Sequence, residues 1–224
     1  MPLRKQVLAT NEVYHITNRG VDSTPIFRSV KDYQRFTEQV DFYRFNNSNI
    51  SFSNFKKLEE KARQEYMGKL KKNNDLRIKI YSYCLMPNHF HFLVKQTKDK
   101  GIEKTFSNIQ NSFARYFNLK NKRAGPLFQS RFRAHRIERD EVYLHVSRYI
   151  HLNPATGYLV EPSQLISFKW SSFQEYLGLR NPLFTEISAV LTIIGGAERY
   201  KNFVLNQADY QRTLDRIKHL LLEG

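Results

Sequence analysis

A single cysteine, Cys84, stands in this chain of 224 residues, which excludes an internal disulfide and any multi-cysteine zinc site. Set in the strand-like run YSYCLM, it reads as a small buried apolar residue. No run approaches the ~18–20 apolar residues of a membrane span, and the opening MPLRKQVLATNEVYH lacks the apolar core of a signal peptide. A soluble, cytoplasmic protein is therefore expected. Internal repeats and low-complexity linkers are missing too. Acidic residues are in deficit, 21 Asp and Glu against 36 Lys and Arg, for a formal charge of +15. Such an imbalance attracts a polyanion, and nucleic acid is the expected one. A hydrophobic content of 41% suits a globular chain long enough for one domain with a core, with room for an appendage.

What is present centres on Met86-Pro87-Asn88-His89-Phe90-His91-Phe92-Leu93-Val94. Histidines alternating with bulky apolar residues predict a β-strand, because strand side chains change face with period 2. His89 and His91 then share one face and Phe90, Phe92 and Val94 the other. The imidazoles stand about 6–7 Å apart along the strand, a spacing suited to one divalent ion or one phosphate oxygen. A plain polar strand face has the same pattern.

The chain before this strand opens with a basic arm and the short β-rich run Val13 to Gly20. Ser29 is placed to cap a helix over Val30 to Phe45, where Tyr33, Phe36, Val40 and Tyr43 recur at helical steps. The stretch from Asn46 to Asp75 is polar and then highly charged, and predicts a solvated helical excursion. Leu76 to Leu85 alternates like a strand, so it and the His-x-His strand should form an antiparallel hairpin. Beyond them, Ile102, Phe106, Ile109, Phe113, Tyr116 and Phe117 mark a helix over Gly101 to Leu119. A basic loop follows to Gly125, then a strand over Leu127 to Glu138 with Arg131, Arg133 and His135 on one face. Another helix runs from Asp140 to Asn153, ending there because Pro154 disfavours helical geometry at the preceding residue. This order of elements fits an α+β domain, a ferredoxin-like antiparallel sheet with helices packed to one side. Two amphipathic segments, 186–194 and 197–222, make the tail a helical appendage.

Within the helix before Pro154, Tyr149 and Asn153 are four residues apart and lie on one face, with His145 a turn earlier. A phenol beside an amide oxygen suits covalent phosphoryl transfer: the tyrosine as nucleophile, the Asn oxygen joining the histidines around a hard divalent ion. The same residues would equally serve packing, with Tyr149 on the sheet and Asn153 capping the helix end.

Taken together, YHITNRG from Tyr14, MPNHFHFLV, GPLFQSRFRAHRI, YLHVSRYIHLNP with its GYLV continuation, and WSSFQEYLG resemble the HUH-type tyrosine transposases, above all the bacterial subgroup associated with repetitive extragenic palindromes. The resemblance spans Val13 to Gly178. It implies a catalytic domain over 1–160, interrupted by the 46–75 helical insertion, and a mainly helical appendage over 161–224. It also implies cutting and joining of single-stranded DNA near hairpins through a 5′-phosphotyrosine and a free 3′-hydroxyl. Carried across by position, the nucleophile would be Tyr149 and the ligands of Mg2+ or Mn2+ would be His89, His91 and Asn153.

The partner implied is single-stranded DNA with hairpin or palindromic elements, engaged by a monomer or a homodimer. Arg131, Arg133 and Arg136, with Lys120, Lys122 and Arg123 of the basic loop, would track its backbone. Lys95 and His145 are candidate proton handlers. Two other functions share these residues: a domesticated, non-mobile protein that binds DNA hairpins, and a metal-dependent nuclease that uses water.

Overall fold

The computed structural model describes residues 7–129 and 131–207. In chain order these form β1 (Val13–Arg19), α1 (Val30–Tyr43), α2 (Phe52–Phe55), α3 (Glu60–Asn73), β2 (Ile78–Met86), β3 (His89–Gln96), α4 (Gly101–Lys120) and β4 (Arg133–Ile137). Then come α5 (Asp140–Thr156), α6 (Phe173–Tyr176), α7 (Ser188–Ile194) and α8 (Ala197–Leu205). The strands form one antiparallel sheet in the order β2-β3-β1-β4. This is the ferredoxin-like order that the sequence predicts, in which the first strand is internal and the last lies at an edge.

Register between β1 and β3 is fixed at both ends. The Gly20 amide donates to the Asn88 carbonyl at 2.8 Å, and the Gln96 amide to the Glu12 carbonyl at 3.0 Å. Both pairs belong to one uninterrupted register, so Arg19 stands directly across from His89. Gly20 makes the turn beyond Arg19 feasible, because a Cβ there would lie 2.2 Å from the Thr24 carbonyl oxygen. Only glycine allows that approach.

The chain divides into two compact units, residues 1–79, 87–89 and 94–136 in one, and 80–86, 90–93 and 137–224 in the other. β2 and β3 contribute to both. In the first unit, Phe36 of α1 and Phe113 of α4 meet edge to face at 5.1 Å, and Phe27 packs on both. The two helices are also tied by charge. The Asp32 carboxylate accepts hydrogen bonds from Lys120 Nζ at 2.6 Å, Tyr116 Oη at 3.0 Å, Ser29 Oγ at 3.0 Å and the Arg28 amide at 3.0 Å. Ser29 thus sits where expected but donates its hydroxyl to Asp32 instead of accepting a helix amide; Asp32 accepts the neighbouring amide itself. The 46–75 stretch carries α2 and α3, and α3 buries little beyond Leu70. It is anchored by aromatic rings, with Phe42 packed against Phe52, Phe55 and Tyr66.

In the second unit, α5 differs from the sequence reading at its end. It runs through Pro154 to Thr156. Pro154 has no amide for the Ile150 carbonyl, and the bias against helix at Asn153 is modest. Burial of Ile150 through Ala155 outweighs it. Side chains tie down the last turn: Asn153 Nδ2 donates to the Tyr149 carbonyl at 3.0 Å and Thr156 Oγ1 to the Leu152 carbonyl at 3.3 Å. β4 is also shorter than predicted, five residues within the apolar and basic run Leu127 to Glu138. In the tail, 186–194 appears as α7 and the start of 197–222 as α8, while residues 208–222 lie outside the described residues. Cys84 is fully buried, as expected, and burial pushes its thiol pKa up.

Candidate active site

His89–Gln96 forms the strand that the sequence predicts, but both of its faces are largely buried. Phe90, Phe92 and Val94 are completely buried, whereas His89 is half-buried. His91, on the same face as His89, is nearly covered, with only 6% of it exposed. The Tyr149 ring meets it edge-on, with ring centroids 5.5 Å apart and planes at 88°. Tyr149 itself is 44% exposed, so the phenol rests against an imidazole and still faces solvent.

Asn153 follows one turn later on α5 and is nearly buried. Its Nδ2 is committed to the Tyr149 carbonyl, which fixes the amide plane and makes Oδ1 the atom that a cation would take. His91, Tyr149 and Asn153 therefore come together in one compact unit. His89 stands two residues along β3 and is counted with the other unit. Its Nδ1 lies 2.6 Å from Asn88 Oδ1, a partner that favours the Nδ1–H tautomer. Among the described residues no three His, Cys, Asp or Glu side chains gather as a metal cluster.

The competing tyrosines are placed differently. Tyr116 donates to Asp32, and burial with that carboxylate raises its pKa. Tyr143 is 7% exposed, packs edge-on against Tyr81, and has its pKa raised by burial. His145 is exposed, with Nδ1 2.7 Å from Arg148 Nη2. Lys95 is half-buried at the far end of β3.

Of the six basic residues expected to track a backbone, three are engaged within the protein. Lys120 is paired with Asp32, Arg136 with Glu12 at 2.8 Å, and Arg123 reaches Asn118 Oδ1 and the Pro126 carbonyl. Lys122, Arg131 and Arg133 are exposed.

One set of residues escaped the sequence reading altogether. His151, two positions from Tyr149, is fully buried, with Nδ1 2.7 Å from Tyr200 Oη and Nε2 2.7 Å from Ser172 Oγ. Ser147 Oγ also bonds Tyr200 Oη, and Ser172 Oγ accepts the Tyr83 amide at 2.9 Å. Burial pushes the His151 pKa down to about 3, so a neutral imidazole ties α5 to α8 and to the segment before α6. Nothing in sequence spacing marks a pairing 49 residues long.

Residues 51–153 match the family model described as "Transposase IS200 like". That region is similar to the IS200-like transposases. It contains His89, His91, Tyr149 and Asn153 and ends at the last of them. A solved structure of a REP-associated tyrosine transposase bound to a REP hairpin is similar in fold, with 16% sequence identity, a TM-score of 0.55, and coverage of 83% of this chain and 98% of that one. No curated protein matches the chain. Among the described residues, no helix is long and apolar enough to cross a membrane.

Proposed function

We propose that this chain is a cytoplasmic single-stranded DNA transposase that cleaves and rejoins DNA near hairpins, with Tyr149 as nucleophile. The observation that carries the reading is the exposed Tyr149 phenol resting edge-on against His91. The chain would carry the catalytic residues within 1–160, and residues 161–224 would form the appendage.

In the proposed reaction Tyr149 Oη attacks the scissile phosphorus, the bond from phosphorus to the 3′ oxygen breaks, and that oxygen leaves as a 3′-hydroxyl after gaining a proton. The 5′ phosphate is retained as a tyrosyl ester, so a 3′-hydroxyl can reverse the attack and join strands without an external energy source. The edge contact with His91 limits the phenol's rotation, and Asn153 pins the backbone carbonyl of the nucleophile itself. Both orient the attacking oxygen before substrate arrives. His89 Nε2, His91 and Asn153 Oδ1 would hold Mg2+ or Mn2+, which when bound neutralises the phosphate's non-bridging oxygens and the charge that develops on them. Lys122, Arg131 and Arg133 offer exposed cations for the DNA backbone. Lys120, Arg123 and Arg136 would contribute to the same field from paired positions.

The covalent intermediate separates this reading from its alternatives. End-labelled hairpin DNA, incubated with protein and Mn2+, should yield a protein–DNA adduct on a denaturing gel. Tyr149→Phe keeps the ring against His91 and removes the attacking oxygen, so it should bind DNA and form no adduct. An adduct that persists in Tyr149→Phe and vanishes in Tyr116→Phe would overturn the assignment. Cleavage without any adduct would identify a nuclease using water, and binding without cleavage a domesticated hairpin-binding protein.

A further inference from the structure

We propose that Arg19 is a phosphate-binding residue of the same reaction, positioning the scissile phosphodiester beside His89; the inference rests on the transposase reading above. The ladder register sets Arg19 directly opposite His89, in a pair flanked by the bond from the Gly20 amide to the Asn88 carbonyl. Directly opposite residues of an antiparallel pair project from the same face, with Cβ atoms about 4.5–5.5 Å apart. The guanidinium and the imidazole therefore leave the sheet side by side.

Three further observations bear on this arginine. The first is its backbone, which is held on every side. The Arg19 amide donates to Asn18 Oδ1 at 2.8 Å, its carbonyl accepts the Gln129 amide at 2.8 Å, and Gly20 turns the chain immediately after it. Asn18 is in turn fixed through Nδ2 on the Gln129 carbonyl at 3.2 Å. The second is its side chain. Arg19 is exposed and makes no side-chain hydrogen bond or ion pair among the described residues.

The third is the contrast with its neighbours. Arg136 on β4 is paired with Glu12, Arg28 lies over the Phe117 ring at 5.0 Å, Arg44 is paired with Asp41, and Arg35 lies over Phe52 at 4.6 Å. A rigid backbone under an uncommitted planar fork is suited to gripping two oxygens of one phosphate at once. Ion pairing within the fold would have called for a carboxylate nearby. The register instead supplies the residue proposed to anchor the reacting centre.

The placement divides the work between two kinds of cation. Lys122, Arg131 and Arg133 would act on the backbone at large, raising affinity for any strand. Arg19 would act at one phosphate, where charge grows in the proposed reaction, so its contribution should appear in the rate more than in binding. Lysine keeps the charge and loses the fork, and glutamine loses both.

The test measures single-turnover adduct formation and hairpin binding at one fixed salt concentration for wild type, Arg19→Lys and Arg19→Gln. Each is assayed on DNA carrying either a phosphodiester or an uncharged methylphosphonate at the scissile position. On the phosphodiester, Arg19→Gln should form adduct about a hundredfold more slowly than wild type, with Arg19→Lys in between and hairpin binding within about threefold of wild type. On the methylphosphonate, which presents one non-bridging oxygen fewer and no charge, the gap between wild type and Arg19→Gln should collapse to less than about tenfold. Melting temperatures report folding, and an exposed side chain predicts little change. If wild type forms adduct and Arg19→Gln matches it, the role of Arg19 is wrong while the transposase reading stands. A rate gap that is the same on both DNAs assigns Arg19 a merely structural role and equally overturns the proposal. If wild type forms no adduct on the phosphodiester, both readings fall.

Discussion

At the scale of single residues, each side chain proposed to act is held by a neighbour of its own. His89 is oriented by Asn88, His91 is covered by Tyr149, and Asn153 is turned by its bond to the Tyr149 carbonyl. The two histidines should therefore respond differently in stability and alike in chemistry. His91→Ala removes a nearly buried ring and should cost about 1–2 kcal/mol, whereas the half-buried His89→Ala should cost well under about 1 kcal/mol. Both should slow Mn2+-dependent cleavage by about a hundredfold or more. Thermal melts paired with cleavage assays check this, and wild-type cleavage by either variant would remove that histidine from the ligand set.

At the scale of elements, α5 carries Tyr149, the proposed nucleophile, and is anchored from behind by His151. An imidazole in the unfolded chain takes up a proton near pH 6.5. The folded one, pushed down by burial to about 3, does not. Between those values the unfolded state holds more protons, so the contribution is complete above pH 6.5 and is lost as pH falls toward 3. His15, pushed down to about 4 by burial and then by His135, adds a loss of the same sign. Melting temperature should thus fall between pH 7 and pH 5. His151→Gln, which cannot titrate but can still bridge Tyr200 and Ser172, should flatten that slope without abolishing it, at some cost in stability at neutral pH. An unchanged slope in His151→Gln would show that other groups set the acid sensitivity.

How far the elements were legible follows from the range of the forces involved. β3, α1 and α4 announce themselves because period 2 and period 3.6 are local properties, written in residues such as Phe90 and Phe92 or Phe106, Ile109 and Phe113. The end of α5 was misjudged because the bias at Asn153 is local, whereas the burial that overrides it comes from the tertiary fold. The pairings of Lys120 with Asp32 and of His151 with Tyr200 were invisible, since each joins residues far apart in sequence. Arg19 lay in plain view within YHITNRG. Its meaning depended on a register that no single strand can state.

At the scale of the whole molecule, the excess of 15 positive charges is the long-range signal, and the ion pairs with Asp32 and Glu12 show that it is not all available to a ligand. If about five phosphates are neutralised, the logarithm of the observed binding constant for single-stranded DNA should fall against the logarithm of salt with a slope of about −3.5. Titrations at several salt concentrations measure it. Hairpin DNA should also bind more tightly than random duplex at each one, and a slope near zero or equal affinity for both DNAs would contradict recognition by charge and shape.

The exposure of Tyr149 has a topological consequence. A nucleophile at the bottom of a tunnel can be reached only by threading a free end, whereas a phenol open to solvent over nearly half of its surface can receive a strand laid across it from the side. On the proposed chemistry, a covalently closed single-stranded circle is as good a substrate as a linear strand. Cutting one leaves the protein riding on the 5′ end of the same molecule that holds the waiting 3′-hydroxyl, so the circle can be resealed without either end ever leaving the protein.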